Sequence, residues 1–153
     1  MIHEFEVKIA LKYYQEYIDS LQESEWEIEE LQTRIEHAGG SVAKRPENPI
    51  DSGTLQINNM ERMRKLVVER DRFQNNVRLA DHFIGWCKDT DHHRDKSFIV
   101  DRFIIQRSIA WLADEYTIDR SMVFDKTNYL IKKYVDSLKV PTSRACQDDI
   151  IVL

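Results

Sequence analysis

Apolar side chains recur at a three-four spacing over the first 37 residues of this chain. This spacing places one apolar line along a helix, as in coiled coils. A helix from about Glu4 to His37 would be roughly 50 Å long at 1.5 Å per residue. It cannot bury its stripe on itself, so it needs a partner helix. The stripe consists of Val7, Leu11, Tyr14, Ile18, Leu21, Ile28 and Ile35, with Leu31 beside it and the polar Glu25 and Gln32 in the two remaining seam positions.

A second apolar pattern predicts another long helix, from about Leu55 to Trp86. Between the two helices, glycines and two prolines predict a loop of about residues 38–54. An antiparallel hairpin within one chain and a coiled coil between chains both fit this pattern. The second stripe consists of Ile57, Met60, Met63, Val67, Val77 and Ile84, widened by Leu66, Phe73, Ala80 and Phe83, with the polar Gln74 and Asp81 in the seam.

The last third is predicted to be helical as well. A polar turn, Lys88 to Asp95, precedes three shorter helical segments at about Lys96–Gln106, Ser108–Tyr116 and Arg120–Leu138. The whole chain of 153 residues contains only four Gly and three Pro, too few for the turns of a sandwich or barrel. We therefore expect an all-α fold.

The second and third of these segments have the pattern of a helix-turn-helix. That motif needs a small residue where its two helices cross, and Ala113 fits this position. Asp119 is expected to cap the second helix by accepting a bond from the Met122 backbone N–H. Thr117 stands where glycine is usual, and Lys126 stands where an apolar residue is usual. The expected inner face consists of Leu112, Tyr116, Ile118 and Val123.

These segments resemble the C-terminal half of small phage late-gene transcription regulators of the ArpU/RinA type. The likeness covers roughly residues 5–138. It also includes the layout of these regulators, which consists of two long helices, a loop containing Gly and Pro, and a terminal helix-turn-helix similar to sigma-factor region 4. Ile109 departs from the family, which commonly has Trp there. The resembling runs are Arg102-Phe103-Ile104, Ser108-Ile109, Leu112-Ala113-Asp114-Glu115-Tyr116 and Arg120-Ser121-Met122-Val123-Phe124.

The resemblance implies a sequence-specific, double-stranded DNA-binding regulator of late genes with a recognition helix at about residues 120–133. The side chains expected at base edges in the major groove are Arg120, Ser121, Phe124 and Asp125. Those expected at phosphates are Arg102, Arg107, Lys126, Thr127, Lys132 and Lys133. The long helices would serve self-assembly into a homo-oligomer or contact with RNA polymerase.

The resulting domain prediction has three parts. Residues 1–87 form a long helical hairpin or coiled coil, residues 88–139 form the helix-turn-helix domain, and residues 140–153 form a flexible tail. A small terminase subunit, which packages DNA, and a coiled-coil adaptor that inhibits a host protein are the alternative functions. Both alternatives also use long helices.

The charge distribution bears on DNA binding more than the net charge of −5 does. Residues 1–37 carry a net charge of −7, and the other 116 residues carry +2. The chain therefore does not bind DNA by bulk positive charge, but its C-terminal part can approach DNA.

Other classes of function find little support in the sequence. No signal for export or membrane insertion is seen, so we expect a cytoplasmic protein. The resemblance to phage regulators implies that this is the cytoplasm of a bacterial host. Motifs typical of catalysis are missing, and we expect neither an enzyme nor a cofactor. A zinc site is not expected either, because the spacing of the candidate ligands does not match the usual pairs. Those candidates are His82, Cys87, His92 and His93.

Overall fold

A computed structural model describes the backbone of residues 1–40 and 49–152 and the side chains of residues 1–37 and 56–139. The predicted all-α class is confirmed over this backbone, which forms six α-helices and one π-helical segment. They are α1 (Glu4–Lys12), α2 (Tyr14–Gly40), α3 (Pro49–Trp86), α4 (Asp95–Ile99), the π-helical segment (Val100–Ile104), α5 (Ile109–Glu115) and α6 (Arg120–Val152).

The first predicted helix is interrupted at Tyr13. This residue has φ −107° and ψ 21°, so α1 ends there and α2 begins at the next residue. The prediction of one continuous helix from Glu4 to His37 is wrong for this reason. Because α1 packs against α6, Val7, Ala10 and Leu11 are buried in a core that lies mostly in the C-terminal part of the chain.

The chain divides into two compact units, Met1–Tyr14 with Val77–Leu153, and Gln15–Asn76. This division differs from the predicted boundary at residue 87, since α1 and the last turns of α3 belong to the C-terminal core. The largest fully buried side chains of that core are Tyr134, Phe83, Phe98, Leu11, Ile99, Leu112, Ile131, Val7 and Val123.

Within the unit Gln15–Asn76, α2 and α3 contact each other. The rings of Tyr17 and Phe73 have their centroids 6.1 Å apart. Leu31 of α2 and Leu66 of α3 are buried. A contact within one chain favours the hairpin over pairing between chains, and the complete hairpin stays a prediction.

The buried positions correct the predicted seam of α2. Ser24 and Leu31 are buried, whereas Glu25 and Gln32 are exposed. Leu21, Ile28 and Ile35 are partly buried as predicted, so the correction concerns only the positions assigned to Glu25 and Gln32.

The predicted seam of α3 also needs correction at its first two members. Ile57 and Met60 are 60% and 55% exposed, whereas Leu66, Ala80 and Phe83 are buried. The residues that we predicted only to widen the stripe therefore form its buried line. Ile57 and Met60 lie on the surface of their unit.

Helical backbone extends beyond the predicted limits in two places. Helix α2 reaches Gly40 and α3 begins at Pro49, so the loop is shorter at both ends than the predicted 38–54, and residues 41–48 lie outside the described residues. Proline fits the first position of a helix, where its missing N–H is not needed. Helix α6 continues past Pro141 to Val152, where we predicted a tail, because proline disfavours a helix without excluding one. The side chains of this last stretch are not among those described.

The predicted polar turn before α4 is closed by several hydrogen bonds. Asp89 and Arg94 form an isolated antiparallel β-bridge. The Asp89 carboxylate accepts bonds from the Ser97 backbone N–H at 3.0 Å and from Ser97 Oγ at 2.5 Å. These bonds hold the pKa of Asp89 below its usual value. The carboxylate thereby satisfies a backbone donor in the first turn of α4.

Candidate nucleic-acid interface

Helix α6 is held against the rest of its unit by one fully buried face. Val123, Leu130, Ile131 and Tyr134 of this face are buried in the core. The ring of Tyr134 lies edge-on to Phe83, with 5.1 Å between centroids. Because this face is covered, the opposite face of α6 points to solvent in a defined orientation.

The turn between α5 and α6 takes its direction from Thr117, whose φ is 54°. The N–H of Ile118 donates to the Ala113 oxygen at 3.0 Å, and the N–H of Thr117 donates to the Asp114 oxygen at 3.4 Å. These two bonds form a Schellman motif, which normally places glycine at the left-handed residue. A β-branched residue in that conformation is strained.

Both helices of this pair begin with a hydrogen bond to their first turn. The Ser108 hydroxyl accepts a bond from the Trp111 backbone N–H at 3.1 Å and so caps α5. At the start of α6, the Met122 N–H donates to the main-chain oxygen of Asp119 at 3.0 Å. We predicted a bond from this N–H to the Asp119 side chain. The backbone oxygen takes that bond instead.

A further hydrogen bond joins α5 to the π-helical segment. The Tyr116 hydroxyl donates to Asp101 Oδ2 at 2.7 Å, and the ring of Tyr116 lies edge-on to Phe98. Burial, followed by the bond to Asp101, raises the pKa of Tyr116. The phenol therefore keeps its proton, and the link between α5 and the segment before it persists at neutral pH.

Arg102 and Thr127 were both predicted to contact phosphate, and the structure places them in the packing around α6. The Arg102 guanidinium contacts Thr127 Oγ1 and donates to the Val123 oxygen at 3.3 Å. Thr127 is only 4% exposed, and its hydroxyl donates to the Val123 oxygen at 2.9 Å. A phosphate cannot reach this hydroxyl, so the assignment of Thr127 is wrong. Arg102 is half-buried, and its Nη1 group is directed to α6.

Lys126 lies across two rings and beside a carboxylate. Its Nζ is 4.9 Å from the Phe98 ring centroid, 5.5 Å from that of Tyr116 and 3.5 Å from Asp95 Oδ1. The aliphatic stem covers apolar surface, which explains how a lysine occupies a position where an apolar residue is usual. Its charge is compensated within the chain.

The four side chains predicted to reach base edges are all exposed. Arg120, Ser121 and Asp125 are exposed, and Phe124 is 50% exposed, with the Arg102 guanidinium 4.9 Å from its ring centroid. Asn128 is exposed as well and was missed by the sequence reasoning. Helical spacing could have identified Asn128, because it lies three or four residues from Asp125 and Lys132 on one solvent-facing line of the helix. We call this line the outer face of α6, and it consists of Ser121, Asp125, Asn128 and Lys132.

Three of the predicted phosphate contacts are accessible. Lys132 and Lys133 are exposed on α6, and Arg107 is exposed just before α5. The Arg107 guanidinium stacks 4.6 Å from the Trp111 ring centroid, and Lys133 Nζ lies 5.8 Å from that of Tyr129. Aromatic support of this kind restrains long side chains without consuming their hydrogen-bond donors.

The residues considered for zinc are not arranged as a metal centre. Among the side chains that the structure describes, no group of three or more His, Cys, Asp or Glu could hold a metal ion. Cys87 is buried, and burial raises the pKa of its thiol to about 12. A zinc ligand needs the opposite shift, toward the thiolate.

Comparison with protein-family models, curated proteins and solved structures finds no match. Among the residues described, no helix has both the length and the apolar character needed to cross a bilayer.

Proposed function

We propose that this chain is a phage-encoded, sequence-specific DNA-binding regulator of late-gene transcription. The observation that supports this proposal is the combination of two faces on one helix. The inner face of α6 is buried against the core, while its outer face is exposed from the first turn onward. A helix that reads the major groove needs this arrangement, because its base contacts depend on a fixed orientation.

The exposed side chains near the start of α6 have complementary partners on base edges. Arg120 would donate to O6 and N7 of guanine, and Asp125 would accept from N4 of cytosine. Phe124 would contact a thymine methyl group. Asn128 adds a fourth contact, since its side-chain amide can pair with N6 and N7 of adenine.

Phosphate contacts in this proposal come from Arg107, Lys132 and Lys133. Arg102 and Lys126 instead hold α6 in place, since their charged groups are engaged with Val123 and Asp95. Three contacts give a modest electrostatic contribution to affinity. A second copy of the chain, or RNA polymerase, would therefore supply the remaining affinity at a promoter.

Selection of random DNA by the purified chain tests the proposal and yields the operator. Binding of Arg120→Ala to that operator is then compared with wild type at one fixed salt concentration. Loss of a bidentate guanine contact costs about 1–3 kcal/mol, which corresponds to an increase of about 5- to 150-fold in Kd. The control is Arg62→Ala, an exposed arginine in the unit Gln15–Asn76.

The two variants give distinguishable outcomes. We expect Arg62→Ala to bind as wild type does and Arg120→Ala to lose discrimination at one base pair. Equal binding by Arg120→Ala and wild type would remove α6 from the role of reading helix. Selection that enriches no sequence, even at low salt, would reject DNA recognition altogether.

A further inference from the structure

We propose that this chain forms a dimer in which α3 of one copy packs antiparallel against α3 of a second copy. The contact is made by four residues within the unit Gln15–Asn76, which we call the exposed line of α3: Ile57, Glu61, Arg64 and Val68. The inference deepens the proposed function and rests on it, because a regulator with few phosphate contacts gains affinity for DNA when two copies bind together. It is tested without DNA, so the failure of either proposal can be recognised separately.

The exposed line lies on the side of α3 opposite the side that faces α2. The buried Leu66 marks the side of α3 that packs on α2. Arg64 and Val68 each lie two residues from Leu66, which corresponds to about 200° around the helix axis. Ile57 and Glu61 share the direction of Val68, since they precede it by eleven and seven residues, or about three and two turns. The four side chains therefore form one line that α2 does not cover.

Both ends of the exposed line are apolar. Ile57 is 60% exposed and Val68 is 68% exposed. Met60, beside the line, is 55% exposed, so apolar surface continues near Ile57. Large apolar side chains that follow one another on one side of a helix are typical of a contact with another helix. A matching surface is apolar at both ends and carries opposite charges between them, and these are the properties of a second copy of α3.

The middle of the exposed line is charged, and its charges are complementary in antiparallel alignment. Glu61 follows Ile57 by four residues. Arg64 precedes Val68 by the same number. Antiparallel helices that align the two apolar ends, Ile57 with Val68, therefore also align the two charged residues with each other. In the described part of the chain, neither charged side chain belongs to an ion pair, so both are available to a second copy.

One two-fold axis creates each of these contacts twice. The axis passes between the two copies of α3, perpendicular to both helices, at the level between Arg62 and Met63. It places the exposed line of each copy against the exposed line of the other, as in a closed isologous dimer, and α2 of each copy lies on the far side of its own α3. Beside the line, each copy has a depression of about 340 Å³, bordered by Arg64, Lys65, Val68 and Glu69. Glu61 of the second copy approaches this depression, where the two basic side chains can hold its carboxylate.

The first test is the mass in solution of the full chain without DNA. We expect a dimer, with twice the chain mass of 18.2 kDa, in the micromolar range by sedimentation. Val68→Glu places a charge against an apolar side chain twice in each dimer and should raise the dimer dissociation constant about tenfold or more. Trp26→Glu is the control, because Trp26 is 62% exposed on α2, outside the contact. This control should dimerise as wild type does, and circular dichroism should show unchanged helix content in both variants. A wild-type monomer, or a dimer that Val68→Glu does not weaken, would overturn the proposal.

The second test exchanges the two charges in the middle of the exposed line. Glu61→Arg alone and Arg64→Glu alone should each raise the dimer dissociation constant about tenfold or more, because like charges then meet twice in each dimer. The variant that carries both substitutions should return to the wild-type dissociation constant, since the exchange restores both ion pairs. The controls are Glu69→Arg and Arg62→Glu, which make the same charge changes at exposed positions of α3 outside the line and should dimerise as wild type does. A double variant as weak as the single ones would reject this alignment of the helices.

Mixing the double variant with wild type provides the decisive measurement. In an antiparallel heterodimer, glutamate would face glutamate in one contact and arginine would face arginine in the other. Native mass spectrometry of the equilibrated mixture, with one chain carrying a mass tag, should therefore show less heterodimer than random pairing gives. Random pairing would reject the charged contact, and an excess of heterodimer would indicate parallel helices and reject the antiparallel alignment. A ring of eight or more subunits would also contradict the proposal and would favour the packaging function.

Discussion

The guanidinium of Arg102 donates to the main-chain oxygen of Val123, with 3.3 Å between Nη1 and that oxygen. The same group lies 4.9 Å from the ring centroids of both Phe103 and Phe124. Burial lowers the pKa of Arg102, although arginine remains charged in proteins. One side chain thus connects the π-helical segment to the first turns of α6.

Removal of this connection should destabilise the fold. For Arg102→Met we expect the free energy of unfolding to fall by about 2 kcal/mol, since a charge-assisted bond is lost. Urea unfolding monitored by circular dichroism measures the change. Arg107→Met is the control, because Arg107 is exposed and its guanidinium stacks on the ring of Trp111. Equal effects of the two substitutions would contradict the structural role of Arg102.

Glycine at position 117 should stabilise the protein. Thr117 occupies the left-handed region at φ 54°, and glycine removes that strain. Glycine also increases the entropy of the unfolded chain, which offsets part of this stabilisation. We therefore expect the free energy of unfolding to rise by about 1 kcal/mol, which corresponds to about 2–4 °C in Tm. Thermal unfolding provides the measurement. Thr117→Ala retains a Cβ and should gain less, so an equal gain would argue against backbone strain as the cause.

Salt dependence should separate lysines that contact phosphate from a lysine that does not. For binding to the selected operator, Lys132→Met should reduce the slope of log K against log salt by about 0.9. Lys126→Met should leave that slope unchanged, because Lys126 already lies beside Asp95. Titrations at several salt concentrations test both variants. A reduced slope for Lys126→Met would show that this lysine turns outward on DNA.

Asp89 should stabilise α4 in a pH-dependent way. Its pKa is lowered in the folded state, so its contribution is complete above the ordinary value of about 3.9 and is lost as pH falls through the lower value. Asp89→Ala should cost about 1 kcal/mol at pH 7, as loss of a cap does. The difference from wild type should shrink as pH falls below about 4. Asp91→Ala, an exposed change in the same turn, should show no such trend in urea unfolding.

Local patterns predicted the helical class and most element boundaries of the C-terminal part. Ser108 begins α5 as its N-cap, and Arg120 begins α6, as the spacing of apolar residues indicated. The exposure of Arg120, Ser121 and Asp125 follows from the same periodicity. These properties depend on neighbours three or four residues apart, which a single sequence records directly.

Long-range packing decided the features that local patterns did not predict, such as the break in the first helix and the burial of several polar side chains. After a break at Tyr13, α1 belongs to the C-terminal core, and in α2 Ser24 is buried where Glu25 was expected. Thr127 and Lys126 look like solvent-facing polar residues in sequence, yet one is buried beside Arg102 and the other covers Phe98. Local sequence patterns were sufficient for the all-α class and for most of the helical segments before residue 140. Only the tertiary structure decided which polar side chains face inward, because that depends on partners distant in the chain.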